Sequence, residues 1–390
     1  MHQLNAINAI LAVLALLSIL LALWQWLAAR RFPLHRRVTD QSFAPAISLL
    51  KPLKGCDETT AESLRSWFNQ NYTGKVQIIF GVARADDPVC EIVRQLIAEN
   101  PSRDAQLVVC GELLGNNAKV GKLIQLEELA EHELILISDA DVRVPPDFLA
   151  NFVTPMRDEK TGLVNCFYQL ANPTTTAMQW EAVAINADFW SQVLQSQTLK
   201  PLDFALGAAI LMRRKALAQI GGFQAIVNCL ADDYQLGNRM AENGHHIALC
   251  PVIAECWDAP MDWRAVWNHQ LRWARTIRAC QPVPYFLSIL SNATFWPLLW
   301  LTASFLFSKH FLVPLAALGL LTVRILIAQN LQHRFTQSRD IANWWLVPLK
   351  DLLQVVLWTG AFSGNTIEWR GRQMRMSRAG DLIPIEDGGR

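Results

Sequence analysis

Net charge is almost absent from this chain: 35 Lys and Arg against 34 Asp and Glu leave +1. Bulk electrostatics therefore argue neither for nor against a nucleic-acid partner, and only the distribution of charge is informative. Neither the Gly-x-x-x-x-Gly-Lys-[Ser/Thr] spacing nor Gly-x-Gly-x-x-Gly occurs, which removes the P-loop and the dinucleotide fingerprint as ways of holding phosphate. The eight cysteines contain no Cys-x-x-Cys and make no zinc pattern with the eight histidines, so reduced, buried thiols are expected, Cys250 and Cys256 included. The N-terminal apolar run is expected to be an uncleaved anchor. The uncharged run Ala6 to Ala29 is followed, not preceded, by basic residues (Arg30, Arg31, His35, Arg36, Arg37), the order of an uncleaved anchor with the next domain in the cytoplasm.

What is abundant is apolar surface: 52% hydrophobic residues, 15 Trp and a mean hydropathy of +0.16 lie on the membrane side of ordinary enzymes. Phe286 to Phe307 and Phe311 to Gln329, joined by Ser308-Lys309-His310, read as a transmembrane hairpin (286–329) in which Arg324 must find a partner. Trp344 to Gly360 is interrupted by Lys350-Asp351 and carries Pro348. Spanning there would put Arg370, Arg372, Arg375 and Arg378 outside, so an interfacial or re-entrant segment (341–364) before a basic cytoplasmic tail (365–390) is expected.

Between the anchor (1–30) and the hairpin, residues 44–257 alternate apolar runs with helical patterns, at Ala46–Leu50, Val76–Val82, Gln106–Cys110, Leu134–Ser138, Leu163–Phe167 and Phe204–Met212. That alternation predicts an α/β domain with a parallel sheet covered on both faces. The run Leu134–Ser138 ends in Asp139-Ala-Asp141, two carboxylates one residue apart at the carboxyl end of a buried strand. They can share one Mg²⁺ or Mn²⁺ completed by substrate phosphates, which points to a nucleotide diphosphate; the plain alternative is a capped turn before Pro145-Pro146. Lys119 or Lys122, in the loop Gly115–Lys122, could hold a diphosphate. Small residues at 207 to 209 would admit a substrate close to the backbone. Asp232 or Asp233, at a helix start, is a candidate general base or simply a partner of the helix dipole. Residues 258–285 interleave Trp and Arg, including His269, Arg272 and Trp273, as an interfacial helix or a diphosphate clamp would; RNA is disfavoured by the membrane flanks.

Lys51-Pro-Leu-Lys-Gly55, Ala85-Asp-Asp-Pro88, Ser138-Asp-Ala-Asp141, Gly221-Gly-Phe223, Ala231-Asp-Asp-Tyr234 and Arg272-Trp273, in this order between membrane segments, resemble the ceramide glucosyltransferases of glycosyltransferase family 21. The phrase His269 to Arg278 resembles the bacterial hopanoid-associated branch. The resemblance implies a GT-A fold with membrane helices at both ends, and inverting transfer from a UDP-sugar, most simply glucose, to the hydroxyl of a membrane lipid, ceramide or a hopanoid. It places Asp86 or Asp87 with the nucleotide, Asp139 and Asp141 with the metal-diphosphate, and Asp233 as base, while Arg272 and Trp273 close over the site; Lys51, Lys119 and His269 are further candidates for holding the nucleotide. His269 departs from the family's Gln or Arg. A bacterial inner membrane with the catalytic domain facing the cytoplasm is expected. The competing readings are transfer of N-acetylglucosamine to a hopanoid, a polyprenyl-phosphate sugar transferase, a polysaccharide synthase (which needs more spans), and a membrane-tethered nucleotide-binding module without catalysis.

Overall fold

The computed structural model describes residues 2–307, 312–338, 344–369, 372–377 and 381–385; the Ser308-Lys309-His310 connection, residues 341–343, Arg370 and Arg378 lie outside the described residues. The chain clusters into two units. One comprises Pro33–Asn172, Lys200–Ala259 and Trp369–Arg390; the other Met1–Phe32, Pro173–Leu199 and Pro260–Glu368.

The first unit is built on eight strands: β1 (Ile47–Pro52), β2 (Val76–Val82), β3 (Asp104–Val109), β4 (Leu134–Ser138), β5 (Val142–Arg143), β6 (Thr161–Leu170), β7 (Ala209–Arg213) and β8 (His246–Cys256). They lie in the order β3-β2-β1-β4-β7-β6-β8-β5. The first half is parallel as expected, β1 pairing with β2 and β4, and β2 with β3. The second half corrects the expectation, because β7 runs antiparallel to both β4 and β6. Strand-helix alternation reports burial on both faces, not direction; Leu136 opposite Leu211 is equally buried either way. The run from Phe204 enters the ladder only at Ala209, and the Leu206 amide is capped instead by Asn165 Oδ1 at 3.3 Å. Strand β8 has no clean period because Pro251 sits where its register with β6 shifts.

Helices Thr60–Phe68, Val89–Glu99, Ala118–Glu127 and Asp232–Glu242 accompany the sheet. The core runs through Leu49, Phe80, Leu136, Phe148 and Phe152, all essentially inaccessible, with Phe148 and Phe152 stacked at 4.6 Å. Each such side chain contributes about 2–3 kcal/mol by leaving water. That core holds the carboxyl ends of β1 and β4 in place.

In the second unit, Ala6–Arg31 and Leu312–Thr336 are long and apolar enough to cross a membrane; Pro282–Ser291 and Phe295–Leu306 make a third span if that bent pair, at 50°, counts as one. The break falls at Asn292, whose Oδ1 accepts from the amide of Phe295 at 2.8 Å and starts the next helix. Helix Leu346–Ala361 has 16 residues. At about 1.5 Å per residue it is shorter than the roughly 30 Å of bilayer hydrocarbon.

Four buried charges join these helices. Arg324 donates to both oxygens of Asp188, at 3.1 and 2.8 Å, and to Asp351 at 2.8 Å, while Lys350 bonds Asp188 and lies 2.6 Å from Asp351. Asp188 sits in a π-helical turn, Ala184–Phe189, between helices Thr176–Val183 and Trp190–Gln197. Two cations on two carboxylates leave no net charge among apolar helices, which is how ionisable groups persist there. Arg324→Leu leaves this set one cation short and is expected to cost about 3–5 kcal/mol. A lowered thermal midpoint in detergent checks this; an unchanged midpoint contradicts it.

Candidate active site

The site assembles where the carboxyl end of β4 meets two helix starts. Asn117 caps helix Ala118–Glu127, its Oδ1 accepting from the amides of Lys119 and Val120 at 3.0 and 3.2 Å. Its amide nitrogen donates to the Cys229 carbonyl at 2.9 Å, so the cap also fixes the loop leading to helix Asp232–Glu242. Lys119 thereby reaches two carboxylates at once, Asp139 at 2.7 Å and Asp232 at 3.0 Å. Burial works against its charge, but Asp139 and Asp232 outweigh it and hold the ammonium well above the usual lysine range.

Beneath this bridge Lys51 is wholly buried, donating to the Asp139 carbonyl at 2.7 Å and to Ser138 Oγ at 3.3 Å, 4.8 Å from the centre of the Trp67 ring. Burial pulls its ammonium down to about 7 against the pull of Asp141 and Asp139. Burial, then the neighbouring Asp139, pushes the Asp141 carboxyl up to about 7. Burial and Asp232 push Asp233 up to about 6, with Lys119 acting the other way. A carboxyl near 6 can take a proton at neutral pH, which suits a general base. Gly207 makes room for it: a Cβ there would lie 2.8 Å from Asp233 Oδ2.

The structure thus brings Lys51, Lys119, Asp139, Asp141 and Asp233 into one electrostatic cluster, with Asp232 as a sixth member. Asp86 is exposed and paired with Arg84 at 2.7 Å. Asp87 accepts from the amides of Gly55 and Val89 at 3.0 and 3.1 Å, tying down the loop after β1, where Gly55 needs φ of +66°. Lys122 donates to the Leu53 carbonyl at 2.7 Å. For a cation, Asp139 and Asp141 offer the hard oxygens that Mg²⁺ and Mn²⁺ prefer, and the raised carboxyl of Asp141 would be relieved by one. Among the described residues no set of three His, Cys, Asp or Glu is placed to hold a metal alone. The donor set therefore fits a cation completed by phosphate oxygens.

The remaining motif residues belong to the second unit, on helix Trp263–Cys280. His269 Nδ1 lies 2.7 Å from Glu181 Oε1, which also accepts from Gln270 at 2.8 Å, and the His269 ring meets Trp273 edge-on at 5.0 Å. Trp273 also packs 6.0 Å from Phe189, and Arg272 precedes it on the same helix. Glu181 and Asn117 were not singled out from sequence. The signals available were a lone carboxylate in an otherwise uncharged helix and an Asn at a helix start.

The sequence matches the profile of Glycosyl transferase family 21 over residues 10–382. The chain belongs to glycosyl transferase family 21. It is 24% identical over 369 residues to ceramide glucosyltransferase 3 of Caenorhabditis elegans, covering 92% of this chain and 78% of that protein. It is 25% identical over 246 residues to a beta-monoglucosyldiacylglycerol synthase of Trichormus variabilis, covering 62% of this chain and 51% of that one. Among solved structures, a mannosyltransferase from Pyrobaculum calidifontis, in complex with GDP-Man and Mn²⁺, superposes with a TM-score of 0.56 at 20% identity, over 92% of this chain and 98% of that one. That likeness establishes the GT-A-like fold.

In this family 21 glycosyltransferase, Asp233 and Asp141 titrate above the ordinary carboxylate value of 3.8, so the stability they lend is complete below about pH 4 and lost as pH rises through about 6 and 7. Asp233→Asn is expected to raise the thermal midpoint at about pH 8 and leave it unchanged at about pH 4, where the carboxyl is already neutral. Because Lys119 lowers Asp233, Lys119→Met is expected to move the acidic limb of the pH–rate profile up from about 6; a limb that stays in place would detach Asp233 from that limb.

Proposed function

We propose that this glycosyltransferase moves a sugar, glucose first among the choices, from a UDP-sugar to the hydroxyl of a membrane lipid, ceramide first, by an inverting displacement. The observation that carries this is the Lys119 bridge, which puts a strand-end carboxylate pair suited to a metal-diphosphate beside a helix-start carboxylate poised to take a proton. The family and the two lipid-glucosylating relatives support the acceptor class.

Asp233 removes the proton from the acceptor hydroxyl as its oxygen attacks the anomeric carbon, and the bond to UDP breaks with its electron pair leaving on the diphosphate. Lys119 holds Asp139 and Asp232 in register and keeps Asp233 ionised at neutral pH. Lys51, through the Asp139 carbonyl, fixes the turn that carries both strand-end carboxylates. Mg²⁺ or Mn²⁺ held by Asp139 and Asp141 supplies, when bound, electrostatic stabilisation of the charge gathering on the diphosphate. Arg272 and Trp273 take the closing role that the family motif gives them. One base suffices, and no sugar–enzyme bond forms. The helices able to cross a membrane keep the catalytic unit at the bilayer, on the cytoplasmic side by the basic residues after Ala29, where the lipid arrives by lateral diffusion.

The cyanobacterial relatives make diacylglycerol a second acceptor to offer, beside a bacteriohopane polyol with UDP-N-acetylglucosamine. Purified full-length protein in detergent with UDP-glucose, ceramide and Mg²⁺ or Mn²⁺ is expected to yield a glycolipid. Asp233→Asn is expected to lower the rate by about 10²–10⁴-fold with UDP-glucose binding kept. Unchanged transfer in that variant would remove Asp233 as the base, and UDP-glucose binding without transfer to any lipid would leave a nucleotide-binding module.

A further inference from the structure

Two of the residues joined by the Lys119 bridge hang from loops. Residues 115–117 precede the helix that carries Lys119, and residues 227–231 precede the helix that carries Asp232 and Asp233. The loops meet: the Asn117 amide donates to the Val227 carbonyl at 2.9 Å and the Asn116 amide to Asn228 Oδ1 at 3.0 Å. A C-terminal segment of the same unit closes on this junction. Asp381, 152 positions beyond Cys229, pairs antiparallel with it and accepts from its thiol at 3.6 Å. The Leu382 amide then donates to the Asn228 carbonyl at 2.7 Å, and the Leu382 carbonyl accepts from Asn116 Nδ2 at 2.8 Å. One residue thus bonds both loops.

These backbone groups have no other use. The amide and carbonyl of a strand residue point to the same side. Leu382–Pro384 is an edge strand paired with Arg372–Met376, where Leu382 lies opposite Met376. Because both Leu382 groups turn to the loops, the neighbouring strand takes no hydrogen bond from them, and with Leu382 only 1% exposed water cannot replace the loops as partner. The two sides of the bridge also differ in their support. Asp139 is fixed by the strand Leu134–Ser138 and by Lys51 beneath its carbonyl. The helix of Asp232 and Asp233 starts at Ala231, whose side chain supplies no cap, so its start depends on bonds to loop 227–231 from outside.

We infer that Asn116 and the backbone of Leu382 are positioning residues: the C-terminal segment staples the two loops and keeps Asp233 aligned with the Lys119 bridge. The catalytic consequence rests on the proposed function, in which Asp233 is the base, and adds to it a task for the C-terminal segment.

Three full-length variants in detergent test this. Leu382→Pro removes the amide given to Asn228 and keeps the carbonyl, Asn116→Ala removes the donor to that carbonyl, and Leu382→Ala keeps both bonds and loses only buried side chain. Leu382→Pro and Asn116→Ala are expected to speed hydrogen–deuterium exchange within residues 226–236 by about threefold to tenfold, the size of one lost hydrogen bond. With UDP-glucose and ceramide they are expected to lower kcat by a similar factor and to leave the KM for UDP-glucose within about twofold, since the Asp139 side is held independently. Leu382→Ala should stay about threefold or more above Leu382→Pro in kcat. Unchanged exchange in both bond-breaking variants, equal kcat losses in Leu382→Ala and Leu382→Pro, or a raised KM with kcat unchanged would each overturn the inference; if Leu382→Pro does not fold, Asn116→Ala decides. Exchange needs no substrate, so it separates the two readings. Faster loop exchange in a protein that transfers sugar to no lipid upholds the staple and defeats the proposed acceptor, whereas intact transfer with unchanged exchange defeats the staple alone.

Discussion

The ion pair from one ammonium, Lys119, to two carboxylates is the constraint on which the catalytic unit depends. Asp139 comes from the end of a central strand and Asp232 from the start of a helix 93 positions later, a distance in sequence that only the folded sheet closes. Asp139, Asp141, Asp232 and Asp233 would repel one another strongly in a half-buried crevice without that cation. Asn117 fixes the start of the Lys119 helix, and Lys51 fixes the Asp139 carbonyl from below, so the bridge has little freedom to relax. Burial, with what is left of that repulsion, raises the carboxyls of Asp141 and Asp233.

The helical unit solves a different electrostatic problem by neutralisation. Arg324 and Lys350 are matched by Asp188 and Asp351 with short, mostly bidentate contacts, and Thr294 and Asn292 add hydrogen bonds to Asp351. Such sets rarely stabilise more than apolar packing would, but breaking one is costly, so they impose one arrangement on the helices that carry them. Here that arrangement leaves a cavity of about 140 Å³ beside Trp273. Glu181 plays a smaller part of the same kind, orienting His269 and Gln270 from a buried position.

How much could be read from the sequence follows from how local each signal is. The strand Leu134–Ser138 and the helix Val89–Glu99 lie where the apolar patterns put them, because a fully buried run and a 3.6-residue period are written in consecutive residues. The antiparallel β7 was not legible, since strand direction depends on partners far along the chain. Strand β8 was hidden by Pro251 and its register shift. In the site, Asp139, Asp141 and Asp233 announced themselves as carboxylates at element ends. The bridging role of Lys119, the burial of Lys51 and the cap at Asn117 are tertiary facts. Arg324 could be flagged as needing a partner, but Asp188, 136 residues away, could not be named as that partner.

A single-step displacement with one carboxylate base, the mechanism proposed for this glycosyltransferase, must invert the anomeric carbon. The anomeric configuration of the glycolipid made from UDP-α-glucose, read from the one-bond and vicinal couplings of the anomeric proton by NMR, tests it most directly. Inversion gives a β-linked product. An α-linked product would contradict it, because retention requires either a second displacement or attack from the face the diphosphate leaves.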